Sequence, residues 1–199
     1  MKVQYVVPAL AAALLLAGCS SADGGSESAS SPTPPVPTSE QSNDEERDGP
    51  QRSPRGYILK EVGEQGSLGL PEDPDSRWIT FTVDEIVENE QCDSYEPPTG
   101  VPTRVDVSIA TADVPEEYRL SAGALFNPGS WQWVQEDGTT SGVTAQQGNY
   151  SFSCGTWQQL ASGLASNSQY RATFNLDVPA GATDLILHYD GGGWEWELP

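Results

Sequence analysis

Apolar and polar side chains alternate along several stretches of the C-terminal three quarters of this chain. The alternation runs through residues 79–84, 104–110 and 170–178. In a β-strand, successive side chains point to opposite faces, so this period of two predicts strands with one buried and one solvated face. No long stretch of the same region has the period of an amphipathic helix.

Shorter apolar runs predict further strands, at 57–60, 130–135, 150–154, 184–189 and 194–198. Clusters of Gly, Pro, Asn and Asp separate them, as expected for turns. Long loops are expected between the second and third strands and over residues 112–127. Seven to nine short strands in about 144 residues predict an all-β fold, an antiparallel β-sandwich.

The N-terminus has a different pattern. Lys2 precedes the apolar run Val6–Ala17, which is too short to span a bilayer and is typical of a secretory leader. The run ends in Leu16-Ala17-Gly18-Cys19, which resembles a bacterial lipobox. That resemblance implies cleavage before Cys19 and a diacylglyceryl group on its thiol, which would hold the protein at the outer face of the cell membrane. The alternative is an ordinary signal peptide, residues 1–18, with an unrelated cysteine after it.

Residues 19–55 are rich in Ser, Pro, Gly, Asp and Glu and contain almost no large apolar side chain. Such a segment cannot bury enough surface to offset the entropy cost of ordering it. The sequence therefore predicts a signal peptide at 1–18, a disordered tether at 19–55 and one domain at 56–199.

The composition is strongly acidic. The chain has 29 Asp and Glu against nine Lys and Arg, a net charge of −20. In residues 56–199 there are 22 acidic and five basic side chains, hence a net charge of −17. Such a surface repels nucleic acid and anionic lipid headgroups and favours cations or basic partners. The simpler explanation of this negative charge is that it keeps the protein soluble.

Three cysteines are present. With Cys19 assigned to the lipid, Cys92 and Cys154 remain, and outside the cell an even remainder indicates a disulfide. The alternative is a pair of free buried thiols. A zinc site is not expected, because only His188 is present to complete it.

Three blocks carry a resemblance to a known family. They are residues 79–87 followed by 105–111, residues 131–139, and residues 174–181 followed by 184–187. Together they resemble the immunoglobulin-like domain of actinobacterial surface lipoproteins of unknown function, a fold shared with an immunoprotective antigen that mycobacteria secrete. The resemblance implies an immunoglobulin-like sandwich and brings no catalytic residues. The chain departs from the family pattern at residues 112–115.

Two aromatic pairs are the first candidates for a binding site. Trp131 and Trp133, and likewise Trp194 and Trp196, are two residues apart and share a strand face. Exposed, they would form a platform for sugar rings or wall polymer. The alternative is that both pairs fill the sandwich core.

Acidic loops are the second candidates. Asp93 and Glu96 lie in the loop that follows Cys92, and Glu116 and Glu117 lie in the long stretch 115–127. Loops at the ends of a sandwich commonly carry binding residues. These four carboxylates are predicted to contribute to a surface for a basic partner.

Other chemistry has little support. His188 is the only histidine and is expected to be a solvent-facing strand residue. Glu195 and Glu197 form an i, i+2 pair typical of a wet strand face, although two such carboxylates could serve glycoside hydrolysis. The acidic residues 72–75 lack the spacing of a calcium loop.

The sequence therefore predicts no catalytic residue, metal site or cofactor. It predicts a lipid-anchored extracytoplasmic protein whose domain binds another protein or a wall component. The alternatives are a carbohydrate-binding module that uses exposed tryptophans, and a surface antigen without a specific small ligand.

Overall fold

The computed structural model describes residues 49–69, 73 and 76–199. The predicted signal peptide, Cys19 and most of the tether lie outside these residues. The described part contains nine β-strands and two α-helices, with short 3₁₀ turns between them. The strands are β1 (Ile58–Leu59), β2 (Gln65–Leu68), β3 (Ile79–Glu88), β4 (Val101–Thr111), β5 (Trp131–Gln135), β6 (Thr140–Gly142), β7 (Gln169–Val178), β8 (Ala182–Tyr189) and β9 (Gly192–Glu197).

The strands form two sheets that pack face to face. One sheet has the order β1-β9-β8-β5-β6 and the other has the order β2-β3-β4-β7. All pairs are antiparallel except β1 with β9, where Ile58 lies opposite Trp194 in parallel register. The predicted all-β sandwich is therefore confirmed, with one parallel edge strand added.

The core lies between the sheets and is rich in aromatic side chains. Phe81 of β3 contacts Trp194 of β9 edge to face, with ring centroids 4.7 Å apart. The ring centroid of Trp131 on β5 lies 5.5 Å from that of Phe174 on β7, a contact that also joins the two sheets. Aromatic contacts of this kind add to the free energy gained from burying the rings.

A helical flank closes one open side of the sandwich, where β7 and β6 are edge strands. It consists of α1 (Arg119–Leu125), α2 (Ala145–Ser153) and 3₁₀ turns at Glu116–Tyr118, Pro128–Ser130 and Trp157–Leu160. The amide of Thr156 donates to the carbonyl of Thr173, at 2.9 Å, so this segment satisfies the free edge of β7. Covered edges do not pair with other chains.

The predicted strand at 150–154 is wrong, because residues 150–153 belong to helix α2 and Cys154 caps its C-terminus. The helix begins with a capping box in which Thr144 and Gln147 bond reciprocally to each other's backbone amides. The buried residues include Gln147, Tyr150 and Ser151 of the helix and Cys154 directly after it, and these have the spacing i, i+3, i+4 and i+7. Two of these four are polar, so they do not reveal the helical period. The apolar residues Tyr150, Phe152 and Cys154 alternate with serines, which is the period of a strand.

The predicted boundary at residue 56 is also too late. Residues 51–59 form a small hairpin in which Arg52 and Ile58 make an antiparallel bridge. The amide of Leu59 donates to the carbonyl of Gln51 at 2.9 Å. Ser53, in the turn of this hairpin, is buried. Residues 51–55, which the sequence assigns to the tether, are thus part of the folded domain.

Candidate functional site

An open groove of about 620 Å³ lies in the helical flank, between α2 and the loop that follows Cys92. Two large aromatic side chains are exposed along it, Tyr95 with 98% of its surface in solvent and Phe152 with 44%. Large apolar side chains that remain exposed in a folded domain often mark a binding surface. The groove is lined by Tyr95, Glu96, Gly129, Val143, Thr144, Gly148, Asn149, Phe152 and Ser153.

A disulfide holds the first end of the groove loop, defined here as residues 92–100. Cys92 is bonded to Cys154, which directly follows α2, and their α-carbons are 6.4 Å apart. The predicted disulfide is therefore confirmed. Beside it, the amide of Cys92 donates to the buried hydroxyl of Tyr150 at 3.1 Å. Burial raises the pKa of Tyr150, and the nearby Asp177 carboxylate raises it further.

Asp177 holds the other end of the loop. This residue is fully buried on β7, and its carboxylate accepts from the Thr99 amide at 2.9 Å, the Thr99 hydroxyl at 2.8 Å and the Gly100 amide at 2.6 Å. Its own amide donates to Ser151 Oγ of α2 at 3.1 Å. A β-carbon at Gly100 would collide with the carbonyl oxygen of Val178, so only glycine allows this approach.

The arch of the loop is fixed to α2 between these two ends. Asn149 Nδ2 donates to Glu96 Oε2 at 2.7 Å. The other carboxylate oxygen of Glu96 has no hydrogen-bond partner among the described residues. Among the described residues, Glu96 is the one acid that lines the groove, and no lysine, arginine or histidine of this part of the chain lines it. The groove therefore offers a positioned negative charge with one free acceptor atom.

Two glycines keep the floor of the groove open around Phe152. A β-carbon built on Gly148 would lie 3.6 Å from Phe152 Cδ2, and one built on Gly129 would lie 3.6 Å from Phe152 Cζ. The phenyl ring itself packs perpendicular to Trp157, with centroids 5.4 Å apart. Phe152 is thus supported from one side and left accessible from the groove.

The four tryptophans proposed as a binding platform lie in the core instead. Trp131, Trp133, Trp194 and Trp196 are all buried. Their strand faces point toward the opposite sheet, where such rings bury the most area. A sugar platform built from these side chains is therefore excluded, and the alternative that both pairs fill the core is correct.

The four candidate carboxylates do not form one surface. Asp93 and Glu96 lie near the start of β4, whereas Glu116 and Glu117 follow its end in the first 3₁₀ turn of the flank. Between the two pairs runs the whole of β4, whose ten residue steps span roughly 33 Å at about 3.3 Å per residue. All four are exposed, but only Glu96 lines the groove.

A second polar cluster lies on the outer face of the five-stranded sheet. Glu195, which the sequence places on a wet face, is buried and bonded to Arg55. Asp184 lies 3.8 Å from the same guanidinium. Tyr57 hydroxyl and His188 Nδ1 are hydrogen-bonded at 2.9 Å, so the histidine is half-buried rather than fully solvent-facing. Glu197 remains exposed, and the two glutamates do not flank a cleft.

Within the described ranges, no three His, Cys, Asp or Glu side chains are grouped so that they could hold a metal ion. Of the acidic residues 72–75, all but the exposed Asp73 lie outside the described part of the chain. No helix among the described residues combines the length and the apolar character needed to cross a bilayer.

The loop that follows Cys92 is predictable from the sequence, but the groove beside it is not. Tyr95 was not singled out, because nothing in its local pattern distinguishes an exposed tyrosine from one that packs. Phe152, Asn149 and Gly148 were missed because 150–154 was assigned to a strand. The motif Thr144-x-x-Gln147 is the signal that could have identified the helix start.

Comparison with known proteins identifies a similar solved structure but no protein family. No protein-family model matches the chain, and no curated protein matches it in sequence. Among solved structures, the secreted protein MPT63 of Mycobacterium tuberculosis is similar, with 11% identity and a TM-score of 0.46. The match covers 71% of this chain and 97% of MPT63. Membership of the surface-lipoprotein family stays a prediction from the sequence.

Proposed function

We propose that this chain is a protein anchored by lipid to the outer face of the cell membrane, and that its sandwich is a non-catalytic binding domain whose contact surface is the groove. The observation that carries the proposal is the exposure of Tyr95 and Phe152 along a groove whose walls are tied together. A disulfide, a buried carboxylate network and the Glu96–Asn149 bond all hold the groove loop on α2. A prearranged surface loses less conformational entropy when it binds.

The disulfide also supports the location. Bonds of this kind form and persist in oxidising compartments and are rare in the reducing cytosol. Together with the leader and the Leu16–Cys19 motif, it favours an extracytoplasmic domain. The lipid on Cys19 would then supply the attachment to the membrane.

A wall glycan is the second candidate ligand. The observation that favours it is the exposure of Tyr95 and Phe152 themselves, since aromatic rings stack on sugar faces as well as on apolar side chains. This candidate no longer depends on the buried tryptophans.

Fractionation of cells tests the anchor. In Cys19→Ala the full chain should leave the membrane fraction and lose the mobility shift that lipid causes. Ser20→Ala, next in sequence, is the control and should behave as wild type. Membrane retention of Cys19→Ala with unchanged mobility would contradict the lipid anchor.

Binding to cells tests the groove. Labelled full chain should be retained on intact cells, and the double variant Tyr95→Leu/Phe152→Ser should be retained several-fold less. Val62, which is 47% exposed on a different part of the domain, provides the control variant Val62→Ser. Equal retention of all three proteins would show that the groove is not the contact surface.

A further inference from the structure

We infer that the groove binds a protein segment that presents a lysine or arginine side chain, with the cation held between Glu96 and the ring of Tyr95. This inference rests on the proposed function, because it names the partner class of the same groove. It is carried by the charge of the groove, by the two exposed rings and by the open floor.

Charge complementarity selects the sign of the partner. Glu96 is the one charged side chain that the described part of the chain places at the groove, and Asp93 is exposed three residues before it on the same loop. The arginines and lysine of the described residues lie elsewhere: Arg52, Arg55, Lys60, Arg77, Arg104, Arg119 and Arg171 do not line the groove. An anionic ligand would meet uncompensated negative charge, whereas a cation would neutralise it.

The atoms at the groove match the two parts of a basic side chain. Because Asn149 occupies only Glu96 Oε2, the other oxygen is free to accept from an ammonium or guanidinium group. The exposed ring of Tyr95 offers a face for a cation–π contact. Lys and Arg carry three or four methylene groups that pack on apolar surface, and Phe152 provides such a surface beside the charge.

The shape fits a side chain on a passing backbone better than an enclosed small molecule. The groove is open to solvent, and Gly129 and Gly148 leave its floor without side chains on either side of Phe152. The stem of a long side chain can therefore lie along the floor while its backbone runs over the loop and α2.

Each contact is expected to be weak, because both Tyr95 and Glu96 face water. Exposed ion pairs and exposed cation–π contacts contribute about 0.5–1 kcal/mol each, which corresponds to about a two- to fivefold change in Kd. Affinity should also fall with added salt, since the charges are within reach of screening ions.

Nuclear magnetic resonance titration of the full chain with its disulfide intact tests the inference. The probe is an acetylated, amidated decapeptide in which lysine alternates with alanine. We expect the amides of residues 93–97 and of α2 to shift most. The same peptide with glutamate in place of lysine should cause no shift there, and neither should a neutral N-acetylglucosamine trisaccharide.

Four variants separate groove binding from general attraction to an acidic protein. Glu96→Gln keeps an acceptor for Asn149 and should weaken binding about two- to fivefold. Glu136→Gln makes the same charge change on an exposed turn outside the groove and should leave Kd within error. Tyr95→Leu should weaken binding, whereas Tyr95→Phe, which keeps the ring, should not. Thermal unfolding of each variant confirms that the fold is retained.

The outcomes decide between partner classes. Equal effects of Glu96→Gln and Glu136→Gln, or shifts spread over the whole surface, would overturn the inference in favour of diffuse electrostatic attraction. Shifts of the groove amides by the trisaccharide and not by the lysine peptide would overturn it in favour of a glycan while leaving the groove as the binding surface. No shift by any probe would overturn it also, and retention on cells then decides the proposed function independently.

Discussion

Arg55 donates to the carboxylate of Glu195 across the edge of the five-stranded sheet, and this ion pair fastens the hairpin 51–59 to β9. The Glu195 side chain is 2% exposed and that of Arg55 is 29% exposed. A buried carboxylate that loses its partner is strongly destabilising, whereas an exposed pair contributes little. Arg55 is therefore a structural part of the domain.

Replacing Arg55 should destabilise the fold. Arg55→Met is expected to lower the free energy of unfolding by about 2–3 kcal/mol, below the full cost of a completely buried pair because Arg55 is partly solvated. Unfolding in urea measures this change in the free energy of unfolding. Arg52→Met is the matched control, because the Arg52 guanidinium donates to the carbonyl of Gly56 in an exposed position, and it should change stability by less than about 1 kcal/mol.

The same contact predicts the effect of trimming the N-terminus. A chain that begins at Gly56 lacks Arg55 and the first strand of the hairpin, so it should melt well below a chain that begins at Gly49. Equal melting temperatures would mean that residues 49–55 contribute nothing to the fold.

Removing the disulfide should destabilise the domain and loosen the groove. Cys92 and Cys154 are 62 residues apart, and closing such a loop stabilises a protein by about 4 kcal/mol in the chain-entropy model. The double variant Cys92→Ser/Cys154→Ser should lose about that amount in urea unfolding. Reductant should lower the stability of the wild type and leave the double variant unchanged. Two reactive thiols in the unreduced, denatured wild type would contradict the bridge.

The Asp177 network should be essential for the position of the groove loop. Asp177→Asn keeps one acceptor oxygen and replaces the other with an NH2 group, which then faces the donors of either Thr99 or Gly100, so we expect a loss of about 2–3 kcal/mol. Amide hydrogen exchange at residues 99 and 100 should accelerate. Asp113→Asn, an exposed position, is the control and should alter neither quantity.

Alkaline pH should destabilise the fold in part through Tyr150. Its folded pKa is raised by burial above the ordinary value near 10, so between pH 10 and the folded pKa the unfolded state loses the proton while the folded state keeps it. The stability that protonated Tyr150 contributes to the fold is therefore present below pH 10 and is lost as the pH rises through the folded pKa. Urea unfolding of Tyr150→Phe should show a smaller loss of stability above pH 10 than the wild type. An identical pH dependence would contradict this.

The long strands were predictable because their inward residues are almost all apolar. In β3, for example, Ile79, Phe81 and Val83 are buried and Thr80 and Thr82 are not, so the period of two survives in the sequence. Helix α2 was not recognised from apolar period, since Gln147 and Ser151 occupy half of its buried face. A polar residue is buried there only because its bonds are satisfied, and those bonds depend on distant residues such as Asp177.

The groove could be predicted only in part. The acidic loop after Cys92 and its disulfide follow from cysteine count and charge. The exposure of Tyr95 and the burial of Trp194 do not, because both depend on which surfaces the folded chain brings together. Glu195 shows the same limit, since its partner Arg55 is 140 residues away along the chain.

Photo-crosslinking on intact cells tests the central claim most directly. The full chain carries a photoreactive phenylalanine analogue at position 95, and a second protein carries it at position 62, which is exposed between β1 and β2 and is not among the residues that line the groove. We predict that position 95 forms an adduct whose partner residues, located by mass spectrometry, lie next to a lysine or arginine, and that position 62 does not. Equal adducts from both positions, or none from position 95, would contradict the assignment of the groove as the binding surface.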